Sequence, residues 1–295
     1  MNRILTIGDA MLDVIVKVDS QINFDSDTRA QITTCGGGAA ANSASWLTRA
    51  GISADFFGAV GSDASGRLFI DELRQFGVSP RVQIVEGART GTVVVFVAEN
   101  GARTMFPDAG ANCSLRASAL PEPGEFNAIL LSGYSLFNPE ISDEVSQIIR
   151  AIRTANIPLA FDPASVGIMQ EFGLERLRLQ LSHFELLLMN EAEARFISGQ
   201  EDLNHALDYL LQFARVVAIK RGSAGAIAAT QSGDHFAAPA KEANVVDTTG
   251  AGDAFNAGFV ATWVKTGRID AAVESGVSIA AECVATIGAR PSVVA

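Results

Sequence analysis

Short apolar runs recur along the chain between longer segments whose apolar residues fall at helical spacing, and this alternation predicts a largely parallel sheet covered by helices on both faces. Arg3 to Gly8 reads as a buried opening strand. From Leu12 to Val18 the chain sets Leu12, Val14, Val16 and Val18 against Asp13, Ile15 and Lys17, the pattern of a half-exposed strand. Ala39 to Ala50 predicts a helix halted by Gly51, and Asp63 caps a second that runs through Phe76, with Phe69 and Leu73 on one face and Gly77 as its stop. Further strands are expected at Ala128 to Ser132, Pro158 to Phe161, Glu185 to Met189 and Val216 to Lys220. A helix follows Pro139, and long apolar helices follow Asp247 and Asp270. Thr92 to Ala98 and Ala102 to Phe106 flank Asn100-Gly101, a pair suited to a tight hairpin turn. With the strand at Leu12 this hairpin could form a small separate sheet; the residues alone leave a lid and an edge extension equally open. No internal repeat, charge block or low-complexity linker marks a domain boundary.

Composition narrows the function classes. A chain of 295 residues with 48% apolar side chains can bury a sizeable core. Its formal net charge of −11 disfavours nucleic acid and anionic membrane surfaces as partners. An anionic small substrate would therefore need focused local donors, such as a helix N-terminus or a few basic side chains. Cys35, Cys113 and Cys283 fit neither a disulfide framework nor a zinc-ligand spacing, so a reducing setting is expected. The opening apolar run is too short for a signal peptide and no stretch approaches membrane-spanning length, which makes the cytoplasm the expected location.

The segment from Val245 to Asp253, continuing into Ala254-Phe255-Asn256, predicts a short apolar strand, a tight loop and a buried helix. Little side-chain bulk at Gly250, Ala251 and Gly252 would let a ligand oxygen approach their backbone N–H groups, where a helix dipole favours an anion. Asp253 falls in the first helical turn beside those amides. The helix end is expected to favour its ionised form, leaving it ready to accept a proton but weakly basic. Positioning dominates phosphoryl transfer, so a weak base suffices there. Glycines kept only for packing and an acid kept only for the dipole would explain each feature separately. Their coincidence favours a phosphoryl site.

Asp247-Thr248-Thr249-Gly250-Ala251-Gly252-Asp253-Ala254-Phe255 closely resembles the C-terminal signature of the ribokinase-like carbohydrate kinases, the pfkB family, and Cys35-Gly36-Gly37-Gly38-Ala39-Ala40-Ala41-Asn42-Ser43-Ala44 is similar to its N-terminal glycine-rich signature. The resemblance implies a Rossmann-like α/β fold with a small β-sheet lid, in one domain over 1–295 with lid strands at about 12–34 and 92–107. It implies ATP and Mg2+, with Asp253 as the base and Gly250, Ala251 and Gly252 as the anion hole. Asp13, Gly37, Gly38 and Asn42 match positions that hold substrate hydroxyls. Asn190 and Glu193 match an N-x-x-E motif that organises magnesium and phosphate, Glu193 through water; the same residues alone form a helix capping box. Lys220, Gly222 and Gly225 match the nucleotide-side loop, with Lys220 either touching phosphate or solvating the strand end. Gly288 to Ser292 match a turn that, with Asp247 and Thr249, binds K+ in potassium-activated members, so a K+ site of Asp247, Thr249, Gly288 and Ser292 is expected. A homodimer joined through the lid completes the implied picture.

The acceptor is less legible. Phe161-Asp162-Pro163-Ala164-Ser165 lacks the D-x-N-x-R pattern of many fructose and keto-deoxy-sugar kinases, which argues against those acceptors without naming another; the family resemblance implies a small sugar, ribose-like or a related carbohydrate, with a nucleoside as the alternative. Few aromatic side chains are available to stack a base; Phe106, Tyr134 and Phe137 are pocket candidates as well as packing candidates, and Arg103 is a hairpin residue that could reach an acidic substrate group. A silent sugar- or nucleotide-sensing module is opposed by the intact Asp253 loop. A dinucleotide oxidoreductase is opposed by the spacing of Gly36-Gly37-Gly38, which departs from G-x-G-x-x-G.

Overall fold

The computed structural model describes residues 2–18, 21–98 and 102–292. Its strands are β1 (Arg3–Ile7), β2 (Met11–Lys17), β3 (Gln31–Gly37), β4 (Ser53–Phe57), β5 (Ala59–Gly61), β6 (Ser79–Pro80), β7 (Gln83–Val85), β8 (Gly91–Val97), β9 (Arg103–Asp108), β10 (Ala128–Ser132), β11 (Leu159–Asp162), β12 (Leu186–Asn190), β13 (Val216–Lys220), β14 (Ala226–Thr230) and β15 (His235–Ala238). The helices are α1 (Ala39–Arg49), α2 (Ala64–Gln75), α3 (Gly133–Phe137), α4 (Ser142–Thr154), α5 (Val166–Phe172), α6 (Leu174–Leu181), α7 (Glu191–Ser198), α8 (Leu203–Leu210), α9 (Ala251–Thr266) and α10 (Ile269–Val284).

Among the described residues a nine-stranded sheet runs β15-β14-β13-β12-β11-β10-β1-β4-β6, parallel throughout except where β14 and β15 turn back on β13. That antiparallel edge was not foreseen, because Ala226–Thr230 and His235–Ala238 carry small residues and little alternation. Central strands bury both faces, so successive residues feed opposite layers. Leu186 and Leu188 of β12 join one apolar cluster with α1, α9 and α10, whereas Leu187 and Met189 join the other with α4 and α8. Helix α4 shows why: Val145, Ile148, Ile149 and Ile152 recur at helical spacing and are all buried, while its other face is polar.

The second sheet, β3-β2-β8-β9, stands apart from the first and resolves the ambiguity in favour of a lid. Strand β8 pairs antiparallel with β9, as the expected hairpin requires, although Asn100-Gly101 themselves lie outside the described residues. The end of β3 runs directly into α1, and β1 runs into β2, so the lid grows from the C-terminal edge of the large sheet.

One expectation fails locally. Val245 and Val246 form no strand and are 63% and 51% exposed. The Val246 and Asp247 amides donate to Val284 O at the end of α10, and with no adjacent strand to pair with, the segment crosses the surface as an extended link. Helix α9 is instead fixed by its neighbours: Ala254 through Ala261 are buried against α1 and α10, and a Cβ on Gly258 would lie 2.7 Å from Ser275 O. Gly258→Val is therefore expected to lower stability by about 1–3 kcal/mol, read as a reduced urea midpoint with an unchanged slope.

Candidate active site

Parallel strands deliver side chains to the crevice beyond their C-terminal ends. Here Asp9 follows β1, Tyr134 follows β10, and Asp162, Asn190 and Lys220 end β11, β12 and β13. Helix α9 brings its N-terminus to the same edge. Gly250 takes a left-handed φ of +76° at the N-cap, where a Cβ would collide with Ala289 at 2.6 Å. The Ala251 amide donates back to Thr248 O at 3.3 Å, and the next amides, of Gly252 and Asp253, open the helix where N–H groups have no intrahelical acceptor.

Asp253 is held by α1. Asn42 Nδ2 donates to Asp253 Oδ2 at 2.9 Å, and Ser43 Oγ donates to the Asp253 carbonyl at 3.2 Å. Burial raises the Asp253 carboxyl to about 7, against the opposing pull of the Asn42 hydrogen bond and of Lys220 and Arg290, while Asp162 adds to the rise. The carboxyl is thus raised rather than held low as the helix end alone would suggest, because desolvation outweighs the groups that favour its ionised form.

Asn42 is itself fixed by a residue that the sequence did not reveal. Arg290 Nε donates to Asn42 Oδ1 at 3.2 Å, its NH2 to Gly37 O at 3.2 Å and its NH1 to Glu72 Oε2 at 3.1 Å. Glu72 also accepts from the Gly36 amide at 2.7 Å, so α2, the end of β3 and the C-terminal turn are tied together beneath the site. Trp46 Nε1 donates to Ala289 O at 2.9 Å and pins that turn to α1. Nothing in the local sequence distinguishes Arg290 from a surface arginine; only the fold encloses it. Asp13 lies against Gly37, where a Cβ would approach its carboxylate to 2.2 Å, and burial lifts Asp13 to about 6 despite Arg290. Gly38, with φ +97°, leads the chain into α1.

On the nucleotide side, Lys220 Nζ donates to Asp162 Oδ2 at 2.8 Å and to Asn256 Oδ1 at 3.1 Å, and Asn256 also bonds Asp162. Burial alone would lower the ammonium, but Asp162, Glu193 and Asp253 outweigh it and hold it charged. A Cβ on Gly252 would lie 3.5 Å from Lys220 Nζ, which puts that charge beside the first turn of α9 rather than out in solvent at the strand end. Asp162 and Asn256 were not foreseen as site residues, although a carboxylate ending a parallel strand was the signal available for the first. Asp162 Oδ1 accepts from the Ala164 amide at 2.8 Å, and Ala164 sits at φ +70°, a conformation that a non-glycine residue adopts only where its surroundings impose it.

Asn190 and Glu193 form the complete capping box: Asn190 Oδ1 accepts from Glu193 N at 2.9 Å, while Glu193 accepts from Asn190 N at 2.8 Å and Asn190 Nδ2 at 2.7 Å. With both carboxylate oxygens engaged, Glu193 would meet a metal through water. Among the described residues no group of three or more His, Cys, Asp and Glu side chains could hold a metal ion. Gly222 borders open space, as a nucleotide loop requires, whereas Gly225 makes room for the chain's own Ala238 carbonyl, 2.0 Å from where its Cβ would stand. Tyr134, 39% exposed, follows β10 at the same edge of the sheet, and its phenol is pushed up to about 12 by burial and by Asp253, Asp162, Glu193 and Asp9. Phe137 is core, packed on Phe161 and Phe172, and Phe106 is 59% exposed on the lid.

The residues expected to bind K+ have another occupant. Asp247 Oδ1 accepts from Arg103 NH2 at 2.7 Å and from Thr249 N at 2.9 Å, Asp247 Oδ2 accepts from Gly288 N at 3.1 Å, and Arg103 NH1 donates to Thr249 Oγ1. Burial would raise the Asp247 carboxyl, but the donations from Arg103, Thr249 and Gly288 prevail and hold it well below the usual carboxylate range. Ser292 is exposed. Arg103 is thus an exposed hairpin residue, as expected, whose guanidinium is engaged by Asp247 and Thr249 in this arrangement.

A carboxylate at a helix tip with an ammonium beside it, at the edge of a mostly parallel sheet that carries a separate small β-sheet, fits a kinase of ribokinase-like fold. Residues 1–295 match the pfkB family carbohydrate kinase pattern, and the chain belongs to that family; it is a carbohydrate kinase. It is 30% identical over 293 residues to an ATP-dependent ribose-1-phosphate kinase of Halopiger xanaduensis, covering 98% of this chain and 94% of that protein. Among solved structures, adenosine kinase from Sinorhizobium meliloti superposes with a TM-score of 0.88 at 25% identity, covering 98% of this chain and 96% of that one. Arabidopsis thaliana ribokinase complexed with ribose and ATP superposes at 0.82 with 26% identity, covering 99% and 96%.

The pH dependence of kcat/KM should show an acid limb centred near 7, reporting Asp253 in the free enzyme. Asn42→Ala removes a donor to the ionised form, so the limb should move to higher pH; a limb that stays in place would assign it to another group.

Proposed function

We propose that the chain acts as one catalytic domain over residues 1–295 that phosphorylates a hydroxyl of a neutral, ribose-like sugar, with Asp253 as the base. The observation that carries this reading is the Asn42 bond to Asp253 Oδ2: among the described residues nothing donates to Oδ1, which is left to face an alcohol. The acceptor oxygen attacks the γ-phosphorus of ATP as its proton passes to Asp253 Oδ1. The bond from γ-phosphorus to the bridging oxygen breaks, and ADP departs with that oxygen.

Gly250, Ala251 and Gly252 offer amides to the moving phosphoryl group, and Lys220 adds a positive charge beside them. Asp13, with the backbone of Gly37 and Gly38, holds acceptor hydroxyls on the lid side; its carboxylate favours a neutral polyol over an anionic acceptor. Asn42 orients the base. Asn190 and Glu193 would organise Mg2+ through water, and Gly222 and Gly225 shape the loop on the nucleotide side. Magnesium, when bound, supplies charge neutralisation on the phosphates. The exposed ring of Tyr134 beside Asp253 favours one second reading, a nucleoside acceptor whose base stacks there.

Ile32, Val94, Met105 and Phe106 leave apolar surface exposed on the lid, which supports pairing of two copies through it. Three free thiols, Cys35, Cys113 and Cys283, suit a cytoplasmic setting.

A coupled ADP-release screen with magnesium ATP against pentoses, hexoses, sugar phosphates and nucleosides is expected to give its highest kcat/KM with a neutral pentose; a nucleoside maximum would favour the second reading. Asp253→Asn should lower kcat by roughly 10²–10⁴-fold while ATP affinity stays close to that of the wild type. Retained turnover would remove Asp253 from the chemistry.

A further inference from the structure

Strand β9 is the outer strand of the lid, and Arg103 is its first residue, paired with Val97 at the far end of β8. The lid's near end lies at Gly91, which pairs with Met11, and at Asp108, which pairs with Thr92. From the far end Arg103 crosses to the body of the protein and bonds Asp247 Oδ1 at 2.7 Å and Thr249 Oγ1, residues that immediately precede Gly250 in the chain. We infer that Arg103 is a positioning residue whose guanidinium clasps the loop opening α9, so that closing the lid and ordering the phosphoryl-binding amides are one event. This inference rests on the kinase reading above.

Two features separate the contact from an incidental surface ion pair, for which little energy would be expected. The Asp247 side chain is 14% exposed and serves as the hub of its loop, accepting from the Thr249 amide at 2.9 Å, the Thr249 hydroxyl at 2.7 Å and the Gly288 amide at 3.1 Å. Through Gly288 the hub joins the turn whose Ala289 packs on Gly250 and whose Arg290 bonds Asn42. A cation delivered to Asp247 therefore acts on the support of both the amides and the base. The planar fork of arginine also suits two acceptors at once, one on each arm. The lid is consequently held at both ends: by Gly37 running into α1 at the near end, and by Arg103 at the far end. Closure of a lid held in this way would exclude water from the acceptor side of Asp253.

The test first establishes that wild-type protein phosphorylates an acceptor; no turnover there would remove the kinase reading itself. In an active enzyme, Arg103→Ala should lower kcat at saturating acceptor by about tenfold or more, for neutral and phosphorylated acceptors alike. It should also raise ATP hydrolysis relative to acceptor phosphorylation, and millimolar guanidinium should restore part of the loss. Arg103→Lys should fall between the two, and carries the same comparison if the alanine variant does not fold. Wild-type rates should agree in potassium and tetramethylammonium buffers, because the guanidinium holds the oxygens that a cation would use. Unchanged kcat in Arg103→Ala overturns the inference. So does a loss confined to KM for phosphorylated acceptors, which would make Arg103 a substrate ligand, or activation of the wild type by potassium, which would mean that Asp247 opens to a free ion.

Discussion

The Asn42 amide meets the Asp253 carboxylate at 2.9 Å in a place where the protein has displaced most of the water. Desolvation there has two consequences that depend on each other. It raises the proton affinity of the acid into the range useful at neutral pH, and it strengthens the single hydrogen bond that keeps the acid aimed. Were Asp253 solvated, the helix end would keep it a weaker base. Were it buried without Asn42, one oxygen would lack a partner and the other would lack a direction. Much of the surrounding architecture serves this contact: α9 is packed so that its first turn cannot drift, and Arg290 with Glu72 sets which end of the Asn42 amide faces the base.

How much of this was legible in the sequence follows from the range of each interaction. Segments whose apolar residues repeat, such as Val216–Lys220 and Ala39–Arg49, declared themselves, and so did the caps at Asp63 and Asn190, because capping is local chemistry. The placement of Asp253 beside Gly250 and Gly252 at the start of a buried helix was legible because these residues are neighbours in the chain. Arg290, Glu72 and the ionisation of Asp253 were not, since each depends on residues brought together across 211 to 248 positions or on burial created by the whole fold. Val245-Val246 misled for the complementary reason: two apolar residues suggest a strand, yet a strand exists only where a neighbour is available to pair.

The site also shows how a strongly acidic protein, with a net charge of −11, can handle a polyanionic co-substrate. Positive potential is supplied at a few points, by helix-end amides and by one ammonium that Asp162 and Asn256 hold in place. Because these donors are fixed before a ligand arrives, little reorganisation is needed when charge moves between ATP and acceptor. The same carboxylates that hold Lys220 charged also raise the Tyr134 phenol, so one cluster sets the protonation of several groups.

The lid is drawn from residues 11–108, whereas the groups proposed to surround the moving phosphoryl come from residues 162–290, and the two sets meet where Asn42 bonds Asp253, where Arg290 bonds Asn42, Gly37 and Glu72, and where Arg103 bonds Asp247 and Thr249. A scaffold divided in this way can be retooled one half at a time. Substitutions at outer-sheet positions away from Arg103 would alter the surroundings of the acceptor without touching the groups across the seam, so new acceptors become reachable by gradual drift.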